Sequence, residues 1–268
     1  MSSHPPDPES AIDRIAPAQR PKGRRVVMYQ SWRSLLFLHW EFPPEVIQPL
    51  LPKGLELDVF QGRAYVGLVP FTMRAVRPAG LPALAWLSNF HETNVRTYVH
   101  VEGRDPGVWF FSLEAANPLA VALARAWFSL PYYFAKMSLH EEPDADSLGG
   151  VVKYHSERRL AGASPSPATS SIAARVLPVP AAPVVVGTLD SFLIERYLLY
   201  TVRRGRLQRG QVHHSPYSVQ AAELLACEES LLASAGISRP VETPIAHYCG
   251  GVDVEIFSIQ PLLGSSRR

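Results

Sequence analysis

Four side chains capable of chemistry recur at every second position of one stretch. They are Glu92, Asn94, Arg96 and Tyr98, within NFHETNVRTYVHVEGRDPGVWFFSLE (Asn89 to Glu114). Alternate residues of a β-strand share a face, so this spacing places an acid, an amide, a guanidinium and a phenol in one row. A carboxyl group can carry a proton to or from a substrate, and a guanidinium offers a two-pronged grip on a carboxylate. Glu92 and Arg96 are therefore catalytic candidates, and Asn94 and Tyr98 ligand-binding ones. The competing reading is an internal hydrogen-bond and salt-bridge network that only fills the space inside a sheet.

A second chemistry needs an amine. The chain has only Lys22, Lys53, Lys136 and Lys153. Lys136, in the apolar stretch Tyr132 to His140, is a nucleophile for a carbonyl if burial lowers its pKa, and a solvated surface lysine if not. Glu195 and Arg196, at a helix-to-strand junction, are ligand-binding candidates beside the plainer role of an ion pair securing that junction. His213 and His214 follow a strand and precede Ser215-Pro216. An imidazole there suits ligand binding or proton transfer near neutral pH. No HxH, HExxH or CxxC spacing occurs, so no metal site is expected. Nor is there a Walker loop, a GxGxxG or a GxSxG, and no organic cofactor is expected.

The elements that must position these groups read as follows. The central stretch is a hairpin turning at Gly103 to Gly107, its second strand presenting Trp109, Phe111 and Leu113 on one face and Val108, Phe110 and Ser112 on the other. Before it lie a strand from Val26 to Trp40, a short helix opened by Pro43-Pro44, and strands at Leu55 to Phe60 and Ala64 to Met73. After it, Asn117 caps a helix from Pro118 to Phe128, ended by Leu130-Pro131. Strands follow at Tyr132 to His140, Val151 to Leu160 and Ile172 to Val179, then a helix capped by Thr188 or Asp190. The remainder reads as strands at 198–202, 207–213, 219–227 and 252–260, with a short helix at 228–235. About ten strands, few helices and no βαβ rhythm predict an α+β fold with one mainly antiparallel, barrel-like sheet.

Composition narrows the partners. A net charge of +2 gives no basic footprint for nucleic acid or an anionic membrane, and 47% hydrophobic residues suffice for a sizeable core. No apolar run reaches the roughly 20 residues of a membrane helix. Two cysteines, Cys227 and Cys249, are expected as free thiols in a cytoplasmic protein. Residues 1–24, rich in Pro, Ser and charge, are expected to be a disordered tail, 25–262 one domain, and 263–268 a flexible end.

The blocks GRAYVGLVPF (Gly62 to Phe71), ETNVRTYV (Glu92 to Val99), GVWFFSLEA (Gly107 to Ala115), LPYYFAKM (Leu130 to Met137), IERYLLYT (Ile194 to Thr201) and VHHSPYSVQ (Val212 to Gln220) occur in this order. In them the chain resembles the YqjF-like family of uncharacterised bacterial proteins (DUF2071). That resemblance implies the acetoacetate-decarboxylase-like superfamily, with a closed, cone-shaped antiparallel sheet, a few short peripheral helices and an internal polar pocket. Acetoacetate decarboxylase forms a Schiff base on a lysine activated by an adjacent lysine. Tyr132 and Tyr133 stand where that pair would fall, so Schiff-base decarboxylation is disfavoured and Tyr132 becomes a ligand-binding candidate. The expectation is a small-molecule pocket protein, an enzyme acting on a carbonyl or carboxylate compound. The alternative is a non-catalytic ligand-binding or sensing protein on the same barrel, with homo-oligomerisation left open.

Overall fold

A computed structural model describes residues 12–144, 149–159 and 168–262. Residues 1–11 and 263–268 of the expected tails, 145–148 of the acidic turn, and 160–167 at the end of the Val151 to Leu160 strand and in the loop after it lie outside the described residues. In chain order the strands are β1 (Val26–Phe42), β2 (Glu56–Leu57), β3 (Ala64–Pro78), β4 (Phe90–Val101), β5 (Arg104–Ala115), β6 (Tyr132–Pro143) and β7 (Gly150–Arg158). They continue as β8 (Thr169–Val176), β9 (Ala182–Pro183), β10 (Leu198–Arg203), β11 (Arg206–His213), β12 (Ser218–Glu229), β13 (Ile245–Phe257) and β14 (Gln260–Pro261). The helices are short: α1 (Pro44–Ile47), α2 (Ala85–Ser88), α3 (Pro118–Phe128), α4 (Leu189–Ile194) and α5 (Leu231–Ser234).

This is a mostly-sheet α+β molecule whose strand pairings run in a ring. From β5 the partners are β4, β3, β1, β13, β11 and β10, and β10 pairs back onto β5. The pairings are antiparallel except where β5 meets β10 and β6, both of which run parallel to it. Strands β6, β7, β8 and β12 form a second circuit that folds against the outside of the ring.

Long strands with apolar residues on both faces explain this arrangement. On β1, Leu36, Leu38, Trp40 and Phe42 pack with Val66 and Leu68 of β3, Val152 and Tyr154 of β7, and Ile172 of β8. Its other face, Leu35 and Phe37, joins Val69, Phe71 and Met73 of β3 and Val252, Val254 and Ile256 of β13 inside the ring. A strand buried on both faces reads as a continuous apolar run, as Leu35 to Phe42 nearly does.

Several boundaries differ from expectation. The central turn is two residues, Glu102-Gly103, both with positive φ (50° and 70°), and pairing resumes at Val101↔Arg104. Such a turn matches the twist of its flanking strands and needs glycine or a tolerant residue, so Pro106 and Gly107 beyond it lie within β5. The strand expected at Leu55 to Phe60 shrinks to Glu56–Leu57, and the last long strand begins at Ile245 rather than Val252. The β1 ladder runs across Gly250 and Gly251, with Arg33↔Gly251 and Leu35↔Cys249. The strand expected at Ile172 to Val179 spans Thr169–Val176, and the helix at 228–235 is only Leu231–Ser234.

Residues 12–24 also depart from the expectation of an unpacked tail. Arg14 forms an ion pair with fully buried Asp58, Gln211 Nε2 donates to Pro17 O at 3.1 Å, and Arg20 pairs with Glu255 at 2.6 Å. Three of the chain's arginine and glutamine side chains thus fasten a segment whose own composition carries no apolar period.

Candidate functional site

The row on β4 faces the inside of the ring. Glu92, Asn94 and Arg96 line a cavity of about 260 Å³, and Tyr98 continues the row beyond that lining. All four are buried, with Glu92 only 2% exposed and Arg96 8%. Register explains the neighbours: Glu92 lies across from Phe71, Asn94 from Val69 and Arg96 from Gly67 on β3. On the other side, the pairing jumps from Val95↔Ser112 to Arg96↔Phe110, so Phe111 is an extra residue. Such a bulge shifts the alternation by one. Phe110 and Leu113, expected on opposite faces of β5, therefore both line the cavity.

The roof is α3. Asn117 Oδ1 accepts from Leu119 N and Ala120 N, and Pro118 sits at the first helical position, as the sequence predicts. Ala120 and Ala124 line the cavity, while Leu123 and Trp127 line it and remain 51% and 50% exposed, forming an apolar mouth with Leu87 of α2.

Polar groups also line the cavity. The Tyr132 hydroxyl donates to Glu92 Oε2 at 3.0 Å. Burial pushes the Glu92 carboxyl up to about 8; the tyrosine hydrogen bond opposes this and the nearby Glu114 carboxylate adds to it. Glu92 is thus a neutral acid at neutral pH. Arg96 Nη2 donates to Leu193 O at 3.2 Å, and its guanidinium lies 5.5 Å from the Phe37 ring and 5.7 Å from the Tyr98 ring. Among the described residues no carboxylate pairs with Arg96, its Nε has no hydrogen-bond partner, and neither has Asn94 Oδ1. Gln30 and Trp32 of β1 also line the cavity and bond each other, Trp32 Nε1 donating to Gln30 Oε1 at 2.8 Å.

Beyond Arg96 the row continues into a buried network around Tyr98, in which His39 Nδ1 has no partner. Tyr98 donates its hydroxyl hydrogen to Leu193 O at 2.6 Å, so the 2.6 Å contact with His39 Nε2 makes the ring the donor there. Gly67 permits this: a Cβ on it would sit 3.0 Å from the His39 ring and 3.5 Å from Arg96 Cγ. Burial, then the Arg96 and His247 charges, hold His39 well below its ordinary 6.5, so the ring is neutral.

The other candidates separate. Lys136 is exposed and does not reach the cavity. It shares parity with Tyr132, but β6 leaves β5 after Ala115↔Phe134 and pairs on with β7, Lys136 lying opposite Glu157. Four residues of strand carry it ~13 Å past Tyr132. All four lysines of the chain are exposed. Arg196 is buried but pairs with Asp58 at 2.7 Å, not with Glu195, and stacks over Phe192 and Tyr98 at 4.4 and 4.8 Å. Glu195 accepts from the Tyr217 backbone N–H at 2.8 Å and from the Tyr197 hydroxyl. Both are structural positions outside the cavity lining. His213 is half-buried against the amino-terminal segment, its Nδ1 3.2 Å from Ala18 O. His214 is buried between Tyr197 and Tyr217, both centroids at 4.5 Å, and burial lowers it to about 4. It stands behind Trp32 and Tyr217, which do line the cavity.

Sequence reasoning missed Gln30, Trp32, Tyr217, His39 and Asp58. Two carried a signal: His39 in LFLHW and Asp58 in LELDVF interrupt apolar alternation with a group that needs a buried partner.

Solved structures similar to this fold include an acetoacetate decarboxylase-like enzyme from Sphingomonas wittichii RW1, with TM-score 0.58, 17% identity, and coverage of 91% of this chain and 97% of that one. The enduracididine biosynthesis enzyme MppR, solved with pyruvate, gives TM-score 0.57 at 14% identity over 88% and 91%. The acetoacetate decarboxylase of Legionella pneumophila gives 0.55 at 13% identity over 92% and 94%. These likenesses establish an acetoacetate-decarboxylase-like fold. In sequence, the chain is 35% identical over 229 residues to the uncharacterized protein YqjF of Bacillus subtilis, covering 85% of this chain and 89% of that one. With residues 29–253 also matching the family model, the chain belongs to DUF2071, a family of uncharacterized conserved proteins.

Proposed function

We propose that this chain is a small-molecule enzyme acting on a carboxylate or carbonyl compound with an apolar body, held inside a closed, cone-shaped antiparallel barrel. One observation carries the reading: Arg96 is a buried guanidinium beside a cavity with no carboxylate partner among the described residues. Buried charges are ordinarily paired, so a cation left without a partner next to a ligand-sized space is a receptor for an anion. Glu92, being neutral, does not compete for it. The ligand's head meets Arg96 and Asn94, and its body lies against Phe37, Phe71 and the α3 roof. Glu92 then delivers a proton to the ligand's oxygen or carbon and recovers it through Tyr132. A Schiff base is not part of this chemistry, because all four lysines stand outside in solvent.

A thermal-shift series tests it, using hexanoate, phenylpyruvate and acetoacetate beside hexanamide and hexanol. A specific acid at 100 times its Kd adds ~2.7 kcal/mol of stability. The acids are expected to shift the protein and the neutral analogues to shift it less, with the difference abolished in Arg96→Met. Equal shifts from acids and alcohols would remove the anion reading. The second reading, a non-catalytic binding protein, is favoured by the nearly all-apolar lining, which needs only shape. It is separated by Glu92→Gln, which keeps binding in either case and ends turnover only in an enzyme.

A further inference from the structure

The ring has a seam. Strand β10 pairs with β5 at Val108 and Trp109, whereas β6 pairs with it at Leu113 to Ala115. Phe110, Phe111 and Ser112 therefore lie between two strands that diverge from the same edge. A surface cleft of about 530 Å³ sits in that wedge, and Phe110, Leu130 and Tyr132 line both this cleft and the cavity. The wall separating solvent from the Glu92–Tyr132 pair is thus made of side chains, with no ladder crossing it. The loop over the wedge is held by Thr201 Oγ1 donating to Ser129 O at 2.6 Å, Ser129 N to Arg125 O at 3.2 Å, Tyr132 N to Leu130 O at 2.8 Å and, from β5, Leu113 N to Pro131 O at 3.0 Å.

The two approaches differ in chemistry. The mouth under α3 presents Leu87, Leu123 and Trp127, whereas the cleft adds Arg125, Ser129 and Thr201 to a lining that also includes Trp109, Phe111 and Tyr133. A ligand whose apolar body fills the mouth would seal Glu92 from water on that side.

We propose that the seam between β6 and β10 is a second, narrower entrance, through which water and other small polar molecules reach Glu92 while the apolar mouth is occupied. Phe110 and Leu130 are its gate, and the ring of Tyr132 forms its inner edge. The use of this entrance rests on the reading of Glu92 as proton carrier; the route itself rests on the pairing of β5 alone.

Access can be read with a reporter thiol. In a Cys227→Ser, Cys249→Ala background, Asn94→Cys places a thiol on the cavity wall, and Leu113→Cys serves as a second reporter should the first fail to fold. Modification by iodoacetamide, which is small and polar, and by N-(1-pyrenyl)maleimide, which is bulky and apolar, is followed by intact mass. Adding Ala124→Trp at the mouth should slow the maleimide and leave iodoacetamide nearly unchanged. Adding Leu130→Trp should slow iodoacetamide about tenfold, equivalent to ~1.4 kcal/mol in the cost of opening, and Phe110→Ala should speed it. Iodoacetamide blocked by Ala124→Trp and indifferent to Leu130→Trp and Phe110→Ala would overturn the proposal. That result would leave the Glu92 assignment standing, since the latter is read from proton binding and not from access.

Discussion

Replacing Glu92 with glutamine isolates the proton that the cavity holds. The folded protein keeps Glu92 protonated up to about pH 8, because burial penalises the ionised form, while its ordinary value is 4.5. Between those two pH values the native state binds a proton that the unfolded chain releases. Stability from this group is therefore fully present below about pH 4.5 and is lost as pH rises toward 8. At 1.36 kcal/mol per pKa unit the loss is ~5 kcal/mol over that window, an upper figure for a side chain with so little solvent contact. Glutamine is neutral throughout, and its amide oxygen still accepts from Tyr132. Urea denaturation of both proteins from pH 5 to 9, comparing midpoints at a common slope, reads the difference and subtracts every other titrating group, including His39 and His214. The variant should match the natural protein near pH 5, gain on it steadily, and level off above pH 8. Curves that stay parallel across the range, or that diverge in the other direction, would show that Glu92 is ionised and the cavity wet.

Arg96→Met should leave stability unchanged or raise it by ~1–4 kcal/mol, as removing a buried charge without a partner does, while ending the preference for acids; a large loss in denaturation would mean that Arg96 has a charged partner in the folded protein. Asp58→Asn leaves Arg196 buried without its counter-charge and should cost ~3–5 kcal/mol. Arg14→Ala, whose side chain is 26% exposed, should cost on the order of 1 kcal/mol in the same urea titration. Borohydride treatment in the presence of acetoacetate should leave the mass of the protein unchanged, and an adduct on Lys136 that disappears in Lys136→Met would restore the Schiff-base route.

What was legible in sequence depended on periods that survive unbroken. Strand β4 keeps its alternation from Glu92 to Tyr98, so the row could be read directly, and Asn117-Pro118 fixed the start of α3. The faces of β5 could not be read, because the extra residue at Phe111 leaves no mark in composition. Lys136 had the right parity and the wrong distance: alternation gives the face of a strand but not where the neighbouring strand stops. Arg196 was legible as a ligand-binding candidate or as part of an ion pair at its helix-to-strand junction, yet its partner Asp58 lies 138 residues away in sequence, and only the ring brings them together.

The division of the β4 row into a satisfied and an unsatisfied half separates framework from site. A polar network kept for stability should pair its members, since a half-paired one is costlier than an apolar core. The Tyr98 hydroxyl meets that condition with Leu193 O and His39, whereas His39 Nδ1 has no partner, and Arg196, though bonded to Asp58 and Phe192 O, leaves its Nη2 without one. The condition also fails at Asn94 Oδ1 and Arg96 Nε, the two atoms of the row on the cavity side. Glu92 is the intermediate case, bonded to Tyr132 but held away from its ordinary ionisation. Orphaned atoms occur elsewhere among the described residues too, at His39 Nδ1 and Arg196 Nη2 among others, so it is the position of Asn94 and Arg96 on the cavity wall, where a bound acid or carbonyl compound would satisfy them, that sets these two apart.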